Sequence, residues 1–172
     1  GGGIMHLVDS LGRSGIEYVC CHHEQSAAIA AQAYDMYNEE LSVCLVTTGP
    51  GGTNALTGTA AAYVDSTPVI YMTGQVKRSD FASLRGVRQF GAQENDIISM
   101  AKPVTKYATL IMEPEMIAYE LEKAVYILAR ELQRRDAKDT EEKKEKGKFS
   151  FDESASHNNT LSIEEIIEKF SD

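Results

Sequence analysis

Apolar and polar positions alternate between two regimes along the chain, and the change of regime predicts the elements. After Gly1-Gly2-Gly3, which reads as a loop, Ile4, Leu7, Val8 and Leu11 recur at helical spacing, and Gly15 marks a stop. Glu17 to Cys21 reads as a short buried strand. Gln25 to Tyr37 reads as a helix whose small residues (Ala27, Ala28, Ala30, Ala31, Ala33) permit close packing. Ser42 to Thr47 is a second buried strand, Gly49-Pro50-Gly51-Gly52 a turn, Thr53 to Tyr63 a small-residue helix, and Pro68 to Thr73 a third strand. Strands that alternate with helices imply parallel pairing through crossovers, and near-continuous apolar runs imply strands covered on both faces. The expected fold class is therefore α/β.

Residues 75–96 are polar and irregular and read as a long loop, with a short strand expected near Val104–Tyr107. A helix is expected from about Pro114, with Ile117, Leu121, Ala124, Leu128 and Leu132 on one face. Composition changes near Arg134, where a charged run almost free of apolar residues begins. The predicted organisation is a domain over 1–134, a charged flexible linker over 135–160 and a short amphipathic helix over 161–172. In that helix Ser162 and Glu165 match a capping box.

Charge and cysteine usage narrow the class. The 172 residues carry a formal charge of −9, which argues against nonspecific binding to nucleic acid or anionic membrane. The chain shows no secretory pattern and no apolar run long enough to span a bilayer, so a cytoplasmic protein is expected. Cys20, Cys21 and Cys44 lie in apolar runs without metal-ligand spacing and read as buried free thiols.

Candidate chemistry centres on Glu24, placed where the first strand hands over to a helix in VCCHHEQSAA. Three readings stand side by side: a helix cap favoured by the dipole, a metal ligand with His22 and His23, or a buried carboxylate that hydrogen-bonds a heterocyclic nitrogen of a cofactor. The ends of parallel strands are where open α/β sheets bind ligands. The second βα turn, TTGPGGTNALTG, lets a backbone approach a ligand closely, yet matches neither the P-loop nor GxGxxG.

HHEQSAAIAAQAY, VTTGPGGTNALTGTAAAYVDSTPVIYMTGQV and GVRQFGAQENDIISMAKPVTKYA, taken in order, resemble the N-terminal pyrimidine-binding domain of thiamine diphosphate enzymes, acetolactate synthase-like proteins above all. The resemblance implies a three-layer parallel sheet with helices on both faces, truncated at its N-terminus. It implies that Glu24 hydrogen-bonds a ring nitrogen of the aminopyrimidine of thiamine diphosphate. Proton exchange there activates the coenzyme for attack on a 2-keto acid such as pyruvate, with loss of carbon dioxide. A raised Glu24 pKa, produced by burial, is expected for that task, against the opposing pull of the helix N-terminus.

By the same resemblance Thr48, Pro50, Gly51 and Asn54 line the pyrimidine pocket, and Gln93 lies on the substrate side. Asn54 as a simple helix cap and Gln93 as a solvated loop residue remain the alternatives. Arg85 and Arg88 would meet an anionic substrate or a partner domain, or stay simply exposed. The GDG motif of the diphosphate-binding half does not occur in this sequence. Mg2+ and the diphosphate are therefore expected to be held by a separate diphosphate-binding domain or subunit, in a homo- or hetero-oligomer. A non-catalytic folding or oligomerisation module and a flavodoxin-like nucleotide binder are the competing readings.

Overall fold

The computed structural model describes residues 1–146, and the chain divides into two units, Gly1–Met112 and Glu113–Asp172. In the first unit a 3-10 turn, Gly2–Ile4, leads into α1 (Met5–Ser14), which stops at Gly15 in the left-handed conformation, φ 75°. α2 (Glu24–Asn38), β1 (Ser42–Val46), α3 (Pro50–Val64) and β2 (Val69–Thr73) follow, then a short α4 (Ile97–Ala101). β1 and β2 pair in parallel with Ser42 opposite Val69 and Val46 opposite Thr73. α3 is the crossover that parallel pairing requires. Gly74 N–H donates to Val46 O at 2.9 Å and carries the ladder one residue past β2.

The core is made of small side chains. Ala28, Cys44, Val46 and Ala55 are buried together, with Ala27, Ala31 and Tyr71 packed around them. That composition lets α2 and α3 approach until a Cβ on Gly58 would stand 2.6 Å from Ala28 Cβ, so glycine is required at the crossing. Gln32 Nε2 donates to Asp65 Oδ2 at 2.7 Å and ties α2 to the residue that ends α3.

Two expected strands are absent. Residues 17–21 form no ladder with β1 or β2, and Val19 is 89% exposed. An apolar run becomes a strand only by pairing, and among the described residues this one has no pair. Cys20 and Cys21 are accordingly exposed rather than buried; Cys44 alone is buried, and burial pushes its thiol up to about 11. The segment near Val104–Tyr107 holds the end of a 3-10 turn, Lys102–Val104, with Pro103 in its first positions. α1 leaves part of its apolar stripe open, with Val8 48% exposed.

The second unit begins with a 3-10 turn, Pro114–Met116, that runs into α5 (Ile117–Lys146). The helix continues past Arg134 through the first part of the segment expected as a linker. Glu and Lys dominate there and are strong helix formers. The rest of that segment and the expected helix over 161–172 lie outside the described residues. Among the described residues no helix is long and apolar enough to cross a membrane.

Candidate functional site

The carboxyl ends of β1 and β2 and the N-terminal ends of α2 and α3 converge, and the candidate residues lie there. α2 starts because His23 is extended (φ −145°, ψ 141°) and its Nδ1 accepts the Gln25 N–H at 3.1 Å. His23 is thus the cap, and Glu24 is the first residue of the helix proper. Among the described residues no group of three or more His, Cys, Asp or Glu gathers to hold a metal.

From that position Glu24 meets α3. Asn54 Nδ2 donates to Glu24 Oε2 at 3.1 Å. Asn54 does not cap α3: the cap position is Gly49, which provides no side-chain bond. A Cβ placed on Gly51 would stand 2.9 Å from Thr47 Cγ2, which makes the site tight for any side chain, and 3.7 Å from Glu24 Oε1, so Gly51 lies beside the carboxylate.

The electrostatics correct one expectation. Glu24 is half-buried, and its pKa lies below the usual carboxylate range rather than above it. The Asn54 hydrogen bond is the main cause, a backbone N–H at the helix start adds to it, and the partial desolvation is too weak to reverse the balance.

The remaining candidates sit on the other flank. Thr48 is buried, and its Oγ1 donates to Gln75 Oε1 at 3.1 Å. Pro50 is exposed at the start of α3. Gln93 is exposed and left-handed, φ 59°, and its carbonyl lies so close to Gly49 that a Cβ there would stand 2.2 Å from Gln93 O. The structure therefore brings Glu24, Gly51 and Asn54 together, and joins Thr48 and Gln93 through Gly49 and Gln75. Arg85 stacks over the Phe90 ring at 3.8 Å and its Nη2 donates to Ser79 O, while Arg88 is exposed.

Sequence reasoning assigned no role to Glu94. Its Oε1 accepts the Ala82 N–H at 2.7 Å, and its Oε2 accepts the Phe90 and Gly91 N–H groups at 3.1 Å each. One carboxylate thus closes the loop over residues 82–91. Its signal in the sequence was its place in FGAQE, next to Gln93 and three residues after Gly91.

These three bonds, that to Ala82 first, hold the Glu94 pKa below the usual range. A carboxylate with a depressed folded pKa contributes order that is present above its unfolded pKa and lost as pH falls through the folded value. The amide resonances of Ala82, Phe90 and Gly91 should therefore shift together on acidification, with a midpoint below that of an ordinary glutamate. Glu94→Gln should abolish that shared titration. Independent titration of the three amides would disprove the clamp.

With this geometry in place, the comparisons with known proteins define the class. The family model described as "Thiamine pyrophosphate enzyme, N-terminal TPP binding domain" matches residues 1–100, and the chain belongs to that family. The large subunit of acetolactate synthase isozyme 3 from Escherichia coli (strain K12) is 39% identical over 130 residues, 75% of this chain and 22% of that protein. The acetolactate synthase large subunit of Cyanidium caldarium is 40% identical over 131 residues, 74% of this chain and 21% of that protein. The probable acetolactate synthase large subunit of Methanocaldococcus jannaschii is 41% identical over 117 residues, 68% of this chain and 19% of that protein. The chain thus spans about a fifth of the length of these relatives.

Proposed function

We propose that the chain supplies the pyrimidine half of a thiamine diphosphate site in an acetolactate synthase-like enzyme acting on 2-keto acids such as pyruvate. In this reading a separate diphosphate-binding domain or subunit holds the diphosphate and Mg2+. The observation that carries the proposal is the meeting of Glu24, Asn54 and Gly51 at the strand ends. The residues fit a flat nitrogen heterocycle: a carboxylate to hold a proton against a ring nitrogen, an amide that fixes the carboxylate's orientation, and a position without a Cβ beside it. Bound thiamine diphosphate supplies the electron sink for decarboxylation of the keto acid. Glu24 Oε1 or Oε2 holds or passes the proton, Asn54 orients the carboxylate, and Gln93 lies toward the substrate. A covering partner would desolvate Glu24 and push its pKa upward, toward the range that proton exchange favours.

A second reading, a module that folds or oligomerises without catalysis, draws support from the exposed segment 17–21 and the open face of α1. Titration calorimetry with thiamine diphosphate and Mg2+ separates the two. Binding and pyruvate turnover are expected only when the chain is combined with a diphosphate-binding half. Turnover by the chain alone would refute the split site, and absence of binding in the combination would leave the non-catalytic reading.

A further inference from the structure

We infer that Gln75 is a positioning residue that locks the Thr48–Gly49 turn to the loop carrying Gln93, a role that rests on the functional reading above only for its effect on substrate. Gln75 directly follows Gly74, whose N–H is the last that the β1–β2 ladder holds. Its Oε1 takes two donors, Thr48 Oγ1 at 3.1 Å and the Val76 N–H at 2.9 Å. Its Nε2 donates to Asn95 O at 3.0 Å. The amide can point only one way. The Val76 N–H needs an oxygen and the Asn95 carbonyl needs an N–H, and a flipped amide would fail both.

Those contacts flank the tightest approach in the region. Thr48 precedes Gly49 by one residue and Asn95 follows Gln93 by two, and between them Gln93 O presses on the bare Cα face of Gly49. Gln93 sits at φ 59°, a conformation that a non-glycine residue holds only where its surroundings impose it. Glu94 shapes the loop on the far side of Gln93 but forms no bond to the Thr48 turn among those it makes with Ala82, Phe90 and Gly91. Gln75 hydrogen-bonds both flanks, Thr48 on one side and Asn95 on the other.

The test compares Gln75→Ala with Gln75→Glu in the full chain. Glutamate keeps an acceptor for Thr48 and Val76 but turns an oxygen toward the Asn95 carbonyl. Amide hydrogen exchange should quicken by about 10-fold, the size of one lost hydrogen bond. In Gln75→Ala it should do so over both 47–52 and 91–97, and in Gln75→Glu over 91–97 alone. Exchange in β1 and the middle of α2 should stay unchanged, which separates loss of the lock from general destabilisation. Combined with a diphosphate-binding half, Gln75→Glu should raise KM for the 2-keto acid by about 10-fold while thiamine diphosphate affinity changes little. Thr48→Ser, which keeps the hydroxyl, should retain the lock. Unchanged exchange in both segments of Gln75→Ala, or acceleration spread evenly over the whole unit, overturns the proposal. Should the unsubstituted combination fail to bind thiamine diphosphate, the functional reading falls, and the exchange pattern still decides whether Gln75 is the lock.

Discussion

Glu24→Gln, in the chain combined with a diphosphate-binding half, is expected to lower pyruvate turnover by about 10²–10⁴-fold, the range that a positioned proton-transfer group contributes. Glutamine has nearly the same shape, and its carbonyl oxygen can still accept from Asn54 Nδ2, which now reaches Glu24 Oε2 at 3.1 Å. What it loses is the ability to give or take a proton. The fold should survive, because Glu24 is half-buried at a helix start and its neighbours are polar. A small loss at the helix N-terminus is expected, since a carboxylate there is favoured by about 0.3–1 kcal/mol. The pH dependence carries a sign. In the chain by itself the Glu24 pKa is depressed, so its contribution to stability is present above the unfolded pKa and fades as pH falls through the folded value. Glu24→Gln should remove that acid-range slope from the melting temperature. Turnover within about twofold of the unsubstituted combination would show that Glu24 transfers no proton and leave it as a helix-start carboxylate.

Patterns that find their partner among the described residues were legible in the sequence. The runs SVCLV and VIYMT became the paired strands β1 and β2, and the small-residue stripes of α2 and α3 met at Ala28 and Gly58. Gly15 ended α1 in the left-handed conformation, as a helix-stop glycine should. Two of the expectations that failed did so for different reasons. Residues 17–21 carry a strand's composition, but composition cannot supply a ladder partner. The charged run after Arg134 could not bury a core, yet a helix needs no core when its residues have high intrinsic propensity, and α5 runs on to Lys146.

At the candidate site, residues could be named from the sequence and their hydrogen-bond partners could not. Glu24 and Asn54 lie 30 positions apart, and only the α2–α3 crossing decides that they bond. Because that bond outweighs desolvation, the expected direction of the Glu24 shift was inverted. The parts of Gln75 and Glu94 stayed hidden for the same reason, since each acts through backbone groups that carry no signature in the side-chain sequence.

Gly49→Ala is expected to destabilise the first unit by about 2–5 kcal/mol, which combines backbone strain with overpacking. At roughly 4 °C per kcal/mol for a unit of this size, the melting temperature should fall by about 8–20 °C. Gly49 adopts φ 62° and ψ −118°, outside the small left-handed region that other residues visit. Independently of that strain, its new Cβ would meet Gln93 O at 2.2 Å and Gln93 C at 3.1 Å. Both are main-chain atoms, so no rotamer change relieves the clash; either the turn or the loop must move.

Gly86 gives the reference for positive φ without a clash. It too has positive φ, 65°, but a Cβ there meets nothing within 4 Å. Gly86→Ala should therefore cost only the strain, about 1–2 kcal/mol. Adding Gln93→Gly to Gly49→Ala removes the Cβ contact at 2.7 Å but leaves the carbonyl in place, so recovery should be partial. Because Gly49 begins the helix that presents Gly51 and Asn54, the displacement should also reach Glu24 and weaken thiamine diphosphate binding in the combined enzyme. A Gly49→Ala chain that melts no lower than Gly86→Ala would mean that Gln93 does not rest on this turn, and the junction between the two flanks of the site would have to be redrawn.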